Sequence, residues 1–157
     1  MEYGHGHKKK LQQAWVEFAG TFEPNFYITL TDPTEPHLAT MKEKLGKFCG
    51  RIDRAVLGKK FTRRPPHERT DGIFFIEHLG SNIHAHGLLR VPKTSLEKFE
   101  ALTKMQWHRV CRDGKHDLQE VYDCAGVASY CTKEMTRFGF NPDQITFTRD
   151  FMKEISN

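Results

Sequence analysis

The feature that most constrains the fold is a pair of β-prone segments that lie close together in the chain. Residues 73–79 and 83–91 are rich in β-branched, aromatic and aliphatic side chains, and a candidate turn at Gly80-Ser81 lies between them, with Asn82 following the turn. Two-residue turns of this kind join neighbouring antiparallel strands. The pattern therefore predicts a β-hairpin. Because an isolated hairpin is barely stable in water, other elements must cover it.

Strand-like and helix-like patterns alternate on both sides of this hairpin. Apolar residues at three- and four-residue spacing predict helices, and β-branched or aromatic runs predict strands. The further elements are a strand at 25–31, a helix at 36–57, a helix that begins at Thr94 or Ser95 and ends at Asp113, a strand at 117–123 and a helix at 125–137. The order β, α, β, β, α, β, α predicts an α+β fold of the ferredoxin-like, split βαβ type. In this fold a central antiparallel sheet has helices packed on one face.

Size and composition indicate one domain over residues 1–157. The chain is 38% hydrophobic and 28% charged, which suits a single core and leaves no room for a motor or ATPase module beside it. Residues 1–10 are polar and basic, and they predict a disordered arm. The chain contains neither an apolar stretch of membrane-spanning length nor a signal-peptide core, so no membrane partner is expected. Its four cysteines have no CxxC spacing, which indicates reduced thiols in a cytosolic chain.

The residues with the clearest chemical pattern are His84 and His86. Alternate residues of a strand point to the same face, so both imidazoles can serve one metal ion. If the Gly-Ser dipeptide forms a two-residue turn, Glu77 lies directly opposite His84 and completes a three-ligand site with open positions. The alternative is a solvated sheet face on which Glu77 is an ordinary charge partner. His5 and His7 have the same spacing, but no strand is predicted there and no role is assigned to them.

A second pattern joins Tyr130 and Lys133, which lie three residues apart and therefore on one face of the predicted helix. A tyrosine is a poor nucleophile near neutral pH because its ordinary pKa is about 10. A nearby ammonium and a divalent cation both favour the phenolate and offset negative charge on an attacked phosphate. The alternative is a tyrosine with its ring in the core and its hydroxyl at the rim, the role predicted for Tyr3, Tyr27 and Tyr122.

In combination, these motifs resemble those of the HUH endonuclease superfamily. The segment 25–32, the His-Ala-His strand and the Tyr-Cys-Thr-Lys-Glu sequence at 130–134 follow one another in the family's order. More narrowly, the chain is similar to the single-tyrosine replication-initiator (Rep) nuclease domains of rolling-circle plasmids, phages and small circular single-stranded DNA viruses. The resemblance covers residues 25–137. It implies the following roles: His84 and His86 bind metal with Glu77 as the acidic third ligand, Tyr130 is the nucleophile, and Lys133 assists it.

The resemblance also implies an activity. Such a domain is a metal-dependent, site-specific endonuclease and strand transferase that nicks single-stranded DNA at a replication origin through a covalent 5′-phosphotyrosine intermediate. The implied cofactor is Mg²⁺ or Mn²⁺, and the implied partner is single-stranded DNA in an origin hairpin or loop. A helicase would be supplied in trans or by a missing C-terminal domain. The expected location is the cytoplasm for a bacterial, plasmid or phage protein and the host nucleus for a protein of a eukaryotic virus.

A polyanionic partner agrees with the uneven charge of the chain. The formal net charge is +4, and residues 42–69 alone contain ten basic against three acidic residues. Basic clusters of this kind contact phosphates, although a solvated helix face with a mobile basic loop is an equally good reading of any single residue. The predicted DNA-contacting residues are Lys59, Lys60, Arg63, Arg64, Arg69, Arg90 and Lys93.

Three other functions fit parts of the sequence. A single-tyrosine HUH transposase would use the same chemistry, as a dimer on hairpin transposon ends. A non-catalytic, ferredoxin-like RNA-binding module would stack bases on Phe26, Phe74 and Phe75 of the sheet. A non-haem iron enzyme would use the two-histidine, one-carboxylate set, but the sequence has no sign of an organic-substrate site.

Overall fold

The computed structural model describes residues 5–34, 37–77, 82–133 and 141–152. The helices are α1 (His5–Gly20), α2 (Leu38–Leu57), α3 (Leu96–Val110) and α4 (Cys124–Cys131). The strands are β1 (Phe26–Asp32), β2 (Asp71–Glu77), β3 (Ile83–Arg90), β4 (His116–Glu120) and β5 (Ile145–Phe147). Short 3₁₀ helices span Phe61–Arg63, Pro66–Glu68, Lys93–Ser95, Pro142–Gln144 and Thr148–Phe151.

The five strands form one antiparallel sheet in the order β4-β1-β3-β2-β5. Helix α2 connects β1 to β2, and β3 lies between these two strands. Helix α3 likewise connects β3 to β4 across β1. This is the split βαβ arrangement. The ferredoxin-like α+β fold predicted from the order of elements is therefore confirmed, with β5 added at the edge.

One face of the sheet packs on α2 and α3. The apolar positions of α2 recur at helical spacing, and Leu45, Phe48 and Ile52 are fully buried against the sheet. The Trp107 ring of α3 meets Phe48 edge to face, with centroids 5.9 Å apart. Each such buried side chain stabilises the fold by about 1.5–3 kcal/mol.

The other face packs on α1 and α4. Val16 and Ala19 of α1 and Ala128 of α4 are buried with Tyr27 and Phe75 in a second apolar cluster. Helices therefore cover both faces of the sheet. The prediction of helices on one face is wrong, because the unexpected helix α1 and the predicted helix α4 both pack on the face opposite α2 and α3.

Helix α1 also corrects the predicted disordered arm. Residues 5–10 are helical, whereas residues 1–4 lie outside the described part of the chain. The signal that was overlooked is the recurrence of Leu11, Trp15, Phe18 and Phe22 at three- and four-residue spacing. The lysines at the start of the helix hid this pattern.

The remaining differences are at element ends. Helix α2 begins at Leu38, two residues later than predicted, and ends at Leu57 as predicted. The next residue, Gly58, has a positive φ of 93° that suits a residue without a side chain, and its N–H donates to the carbonyl of Arg54. The last predicted helix, at 125–137, is described as far as Cys131, and residues 134–140 lie outside the described residues. Among the described residues, no helix is both long enough and apolar enough to cross a membrane.

Candidate metal centre and its two tyrosines

The candidate metal ligands come from the two strands of the predicted hairpin. Glu77 of β2 pairs with His84 of β3, and Phe75 pairs with His86. The predicted pairing of Glu77 with His84 is therefore confirmed. The predicted turn and the pairs of His78 and Leu79 involve residues 78–81, which lie outside the described residues. Both histidines and the glutamate therefore lie on one face of the sheet.

The three side chains converge. Nε2 of His86 lies 2.7 Å from Oε1 of Glu77, and one ligand atom from each of Glu77, His84 and His86 lies within 4.8 Å of the other two. Glu77 and His86 are 4% and 3% exposed, whereas His84 is half-buried. A buried carboxylate beside two imidazoles could hold a metal ion with one side open to a ligand.

The donor set suits a divalent cation. Ligands about 2.1 Å from one ion are at most about 4.2 Å apart, so the 4.8 Å limit requires side-chain adjustments of less than about 1 Å. A bound cation would replace the contact between His86 Nε2 and Glu77 Oε1, because a ligating imidazole nitrogen carries no proton. Two imidazoles are softer donors than Mg²⁺ prefers, so Mn²⁺ should bind more tightly, and zinc also fits the donors.

Tyr27 and Thr29 of β1 orient His86 from the next strand. The Tyr27 hydroxyl lies 2.9 Å and Thr29 Oγ1 3.3 Å from Nδ1 of His86. The Tyr27 ring also stacks on the imidazole, with centroids 5.9 Å apart and an interplanar angle of 18°. A partner at Nδ1 fixes which nitrogen carries the proton, and hence whether Nε2 can bind a metal. The sequence interpretation treated Tyr27 as an ordinary rim tyrosine and missed this contact.

Tyr130 reaches the same imidazole from α4. Its ring lies edge to face with His86 at a centroid distance of 5.8 Å, and its side chain is 51% exposed. Nζ of Lys133 lies 4.0 Å from the centroid of the Tyr130 ring. The predicted neighbours are therefore together, and a positive charge lies over the phenol.

Helix α4 is held in place by contacts at both of its ends. The Asp123 carboxylate accepts a hydrogen bond from the N–H of Gly126 at the start of the helix. Near its end, the Gln12 amide of α1 donates to the carbonyl of Ser129 and to the hydroxyl of Thr132. The unexpected helix α1 therefore clamps the residues on either side of Tyr130.

The two tyrosines beside His86 have opposite environments. Burial is the largest effect on Tyr27, and it raises the pKa of this phenol well above its ordinary value. Tyr27 therefore remains a protonated hydrogen-bonding group, whereas Tyr130 is accessible to a substrate. Burial and then the charge of Glu77 raise the pKa of the Cys131 thiol to about 12, which keeps this neighbouring thiol neutral.

The predicted DNA-contacting residues lie at the other end of the hairpin. Lys59, Lys60, Arg63 and Arg64 are exposed in the connection that leads to the start of β2. The start of β2 lies six residues from Glu77, about 20 Å along the strand. Lys93 is exposed beyond the end of β3, at the same far end. The structure does not bring these cations next to the candidate metal ligands.

Arg69 is a wrong prediction. Its side chain is only 8% exposed, its Nε donates to the Asp53 carboxylate over 2.9 Å, and its guanidinium lies over the Phe61 ring. Arg90 is partly exposed, and its Nη2 lies 3.4 Å from the Asp71 carboxylate. The sequence contains no sign of this pair, because Asp53 lies 16 residues away on α2.

The aromatic residues of the sheet do not form an exposed platform for bases. Phe26 and Phe74 are buried under α2 and α3. Phe75 is 3% exposed and meets Trp15 of α1 edge to face. This burial removes the observation that favoured an RNA-binding module.

The structure thus assembles a carboxylate, two imidazoles and an accessible phenol on one face of the sheet. Comparison with protein-family models, curated proteins and solved structures found no match to this chain.

Proposed function

We propose that this protein is a metal-dependent endonuclease and strand transferase of the single-tyrosine HUH type, which nicks single-stranded DNA at a replication origin. The observation that carries the proposal is the meeting of two independent motifs at one imidazole. His86 belongs to the Glu77, His84 and His86 cluster, and its ring also contacts the exposed Tyr130. A metal site with a purely structural role would not require an accessible phenol beside it, whereas a nuclease that uses a tyrosine nucleophile would.

The chain's own residues support a specific division of labour. Glu77, His84 and His86 would hold a divalent cation, which supplies Lewis-acid polarisation of the scissile phosphate. Lys133, over the Tyr130 ring, favours the negative charge that develops on the phenol oxygen during attack. Tyr27 keeps His86 in a fixed orientation and does not react.

The proposed step is a transesterification. The Tyr130 oxygen forms a bond to phosphorus, and the bond between phosphorus and the 3′-oxygen breaks. The phenol gives up one proton and the departing oxygen takes up one, so the products are a 3′-hydroxyl and a 5′-phosphotyrosine. Because the number of phosphodiester bonds is unchanged, a later 3′-hydroxyl can reverse the step without ATP.

The test is formation of a covalent adduct. The protein is incubated with Mn²⁺ and a pool of labelled single-stranded DNA, and a denaturing gel is examined for a protein-linked band. We expect the band with the wild type, no band with Tyr130→Phe, and no band when the metal is chelated. DNA binding by Tyr130→Phe should remain close to that of the wild type, since the substitution removes one oxygen.

The matched control is Tyr122→Phe. Tyr122 is 89% exposed and follows β4, the edge strand farthest from β2. Its loss should leave the adduct unchanged. An adduct that persists in Tyr130→Phe, or one that disappears in Tyr122→Phe, would show that Tyr130 is not the nucleophile.

A further inference from the structure

A cavity of about 370 Å³ opens beside His84, at the ends of β1 and β3. Its walls come from the end of β1 and the turn that follows, from the start of β3, and from the loop between α3 and β4. This volume lies in the range of small-molecule sites and is suited to one nucleoside. Because His84 lines the cavity, an occupant would lie directly beside a phosphate held at the candidate metal centre.

The cavity wall is built from fixed backbone. The N–H of Thr31 donates to the carbonyl of Lys115, and the N–H of Lys115 donates to the Thr31 hydroxyl, each over 3.0 Å. Gly114 is packed so closely that a β-carbon would lie 2.5 Å from the Thr31 carbonyl oxygen. These contacts fix the loop between α3 and β4 against β1, so the cavity is preformed.

The charges at the cavity are balanced. Asp32 is fully buried, and its carboxylate is bound by the Lys44 ammonium and by the N–H and hydroxyl of Thr34. At the surface, the acidic Asp113 is matched by the basic Lys115. A site for phosphate alone would need an excess of positive charge. This lining instead suits a neutral ligand with hydrogen-bonding edges.

A nucleobase has these properties. Pro33 provides an apolar wall for a base face, and the exposed Asn82 carries an amide that donates and accepts, as side chains that read base edges do. Asp113 and Lys115 add an acceptor and a donor. Enzymes that act on single strands commonly seat an unstacked base in a pocket of this kind.

We infer that this cavity binds the base of the nucleotide next to the cleaved phosphodiester and sets a sequence preference at that one position. The inference rests on the proposed function for its substrate, single-stranded DNA. It assigns to Asn82 and Lys115 a role in specificity that none of the sequence motifs suggested.

The test measures binding without cleavage. Single strands that bind the wild type are selected from a random pool in the presence of a chelator, and an abasic site is then moved through the best binder one nucleotide at a time. We expect one position at which the abasic site weakens binding about tenfold. Asn82→Gly should largely abolish that difference. Glycine is chosen because the φ of Asn82 is 44°, which glycine adopts without strain.

Lys115→Met tests the second contact, and Lys98→Met is its control. Lys98 is exposed on α3, which packs on the opposite face of the sheet, and its loss should not alter base preference. Equal weakening of all strands by Asn82→Gly and Lys115→Met would mean contacts to the DNA backbone only and would overturn the inference. Unchanged preference in both variants would overturn it as well.

Failure of this inference can be told apart from failure of the proposed function. A covalent adduct without any base-dependent position leaves the nuclease proposal standing and removes the base pocket. A base-dependent position that Asn82→Gly abolishes, without any adduct in Mn²⁺, supports the pocket and rejects the nuclease.

Discussion

The two ends of the β2–β3 hairpin both contain a buried carboxylate, but their partners differ in kind. At the start of β2, Asp71 accepts two hydrogen bonds from the Arg149 guanidinium, at 3.2 and 2.8 Å, and a third from Arg90. At its end, Glu77 faces the imidazole of His86. A guanidinium keeps its charge at any ordinary pH, whereas an imidazole can be neutral, charged or bound to a metal. The first end is therefore suited to holding strands together and the second to exchanging a proton for a cation.

A second ion pair lies near the start of β2, which we call the structural end of the hairpin. Asp53 of α2 binds the Arg69 guanidinium and the N–H of Thr70, and both charged side chains are buried. We expect substitutions at this end to change stability without changing metal affinity. Substitutions at the other end should do the reverse. The predictions below test that division, beginning with the largest effect.

The largest effect is expected for Asp53→Ala. Burial raises the pKa of Asp53 although hydrogen bonds from Thr70 and Arg69 oppose the shift, so the intact pair is not strongly stabilising by itself. Removing the carboxylate nevertheless leaves a buried guanidinium and an N–H without their acceptor. The free energy of unfolding should fall by about 3–5 kcal/mol, measured by urea denaturation.

The control for this variant is Glu43→Ala, which removes an exposed carboxylate of the same helix and should change the free energy of unfolding by less than about 0.5 kcal/mol. Mn²⁺ affinity of folded Asp53→Ala should equal that of the wild type. A loss of metal affinity there would break the division between the two ends.

The next largest effect is expected for Glu77→Gln. The amide removes the anionic ligand while keeping the size of the side chain, so Mn²⁺ affinity measured by calorimetry should fall more than about 100-fold. The free energy of unfolding without metal should change little, because an amide can still accept from His86. Glu97→Gln, on the exposed side of α3, is the matched control. Unchanged affinity in Glu77→Gln would exclude the carboxylate as a ligand.

A smaller effect is expected for Tyr27→Phe. The ring still stacks on His86, but the hydroxyl at Nδ1 is lost, and the more distant Thr29 hydroxyl remains at that nitrogen. Mn²⁺ affinity should fall about tenfold. Thr29→Val should have a similar or smaller effect, since its oxygen lies farther from Nδ1. If Tyr27→Phe lowers the free energy of unfolding but leaves Mn²⁺ affinity unchanged, Tyr27 has a structural role and does not orient a metal ligand.

The two ends also differ in how well the sequence predicted them. The pairing of Glu77 with His84 follows from a short turn between neighbouring strands, so counting residues was sufficient. The contact between Tyr27 and His86 joins residues 59 positions apart, and it depends on which strand lies beside β3. The single sequence contains no local signal for that choice. Alternation along β1 does, however, place Tyr27 and Thr29 on one face.

The wrong predictions for Arg69 and for helix α1 also arose because the deciding contacts join residues that are far apart in the sequence. Arg69 was assigned to the surface because its partner Asp53 lies on another element. Helix α1 was missed because its basic start resembled a disordered arm. The packing of its Trp15 against Phe75 and Phe147 is visible only in the structure. The α+β class, by contrast, followed from the order of the predicted strands and helices along the chain.

The smallest effect is expected for His116→Gln, which should change how the free energy of unfolding depends on pH. His116 lies in β4, where burial above all, and then the charges of His108 and Lys104, lower its pKa from 6.5 to about 4. The folded state therefore favours neutral His116, while the unfolded chain takes up a proton below about pH 6.5. The stabilisation from neutral His116 is complete above that pH and declines as the pH falls toward 4.

Since His116 is partly exposed, the free energy of unfolding of the wild type should fall by at most about 1 kcal/mol more than that of His116→Gln between about pH 7 and pH 5. Urea denaturation at both pH values measures this difference, and equal losses would mean that His116 is not the acid-sensitive group.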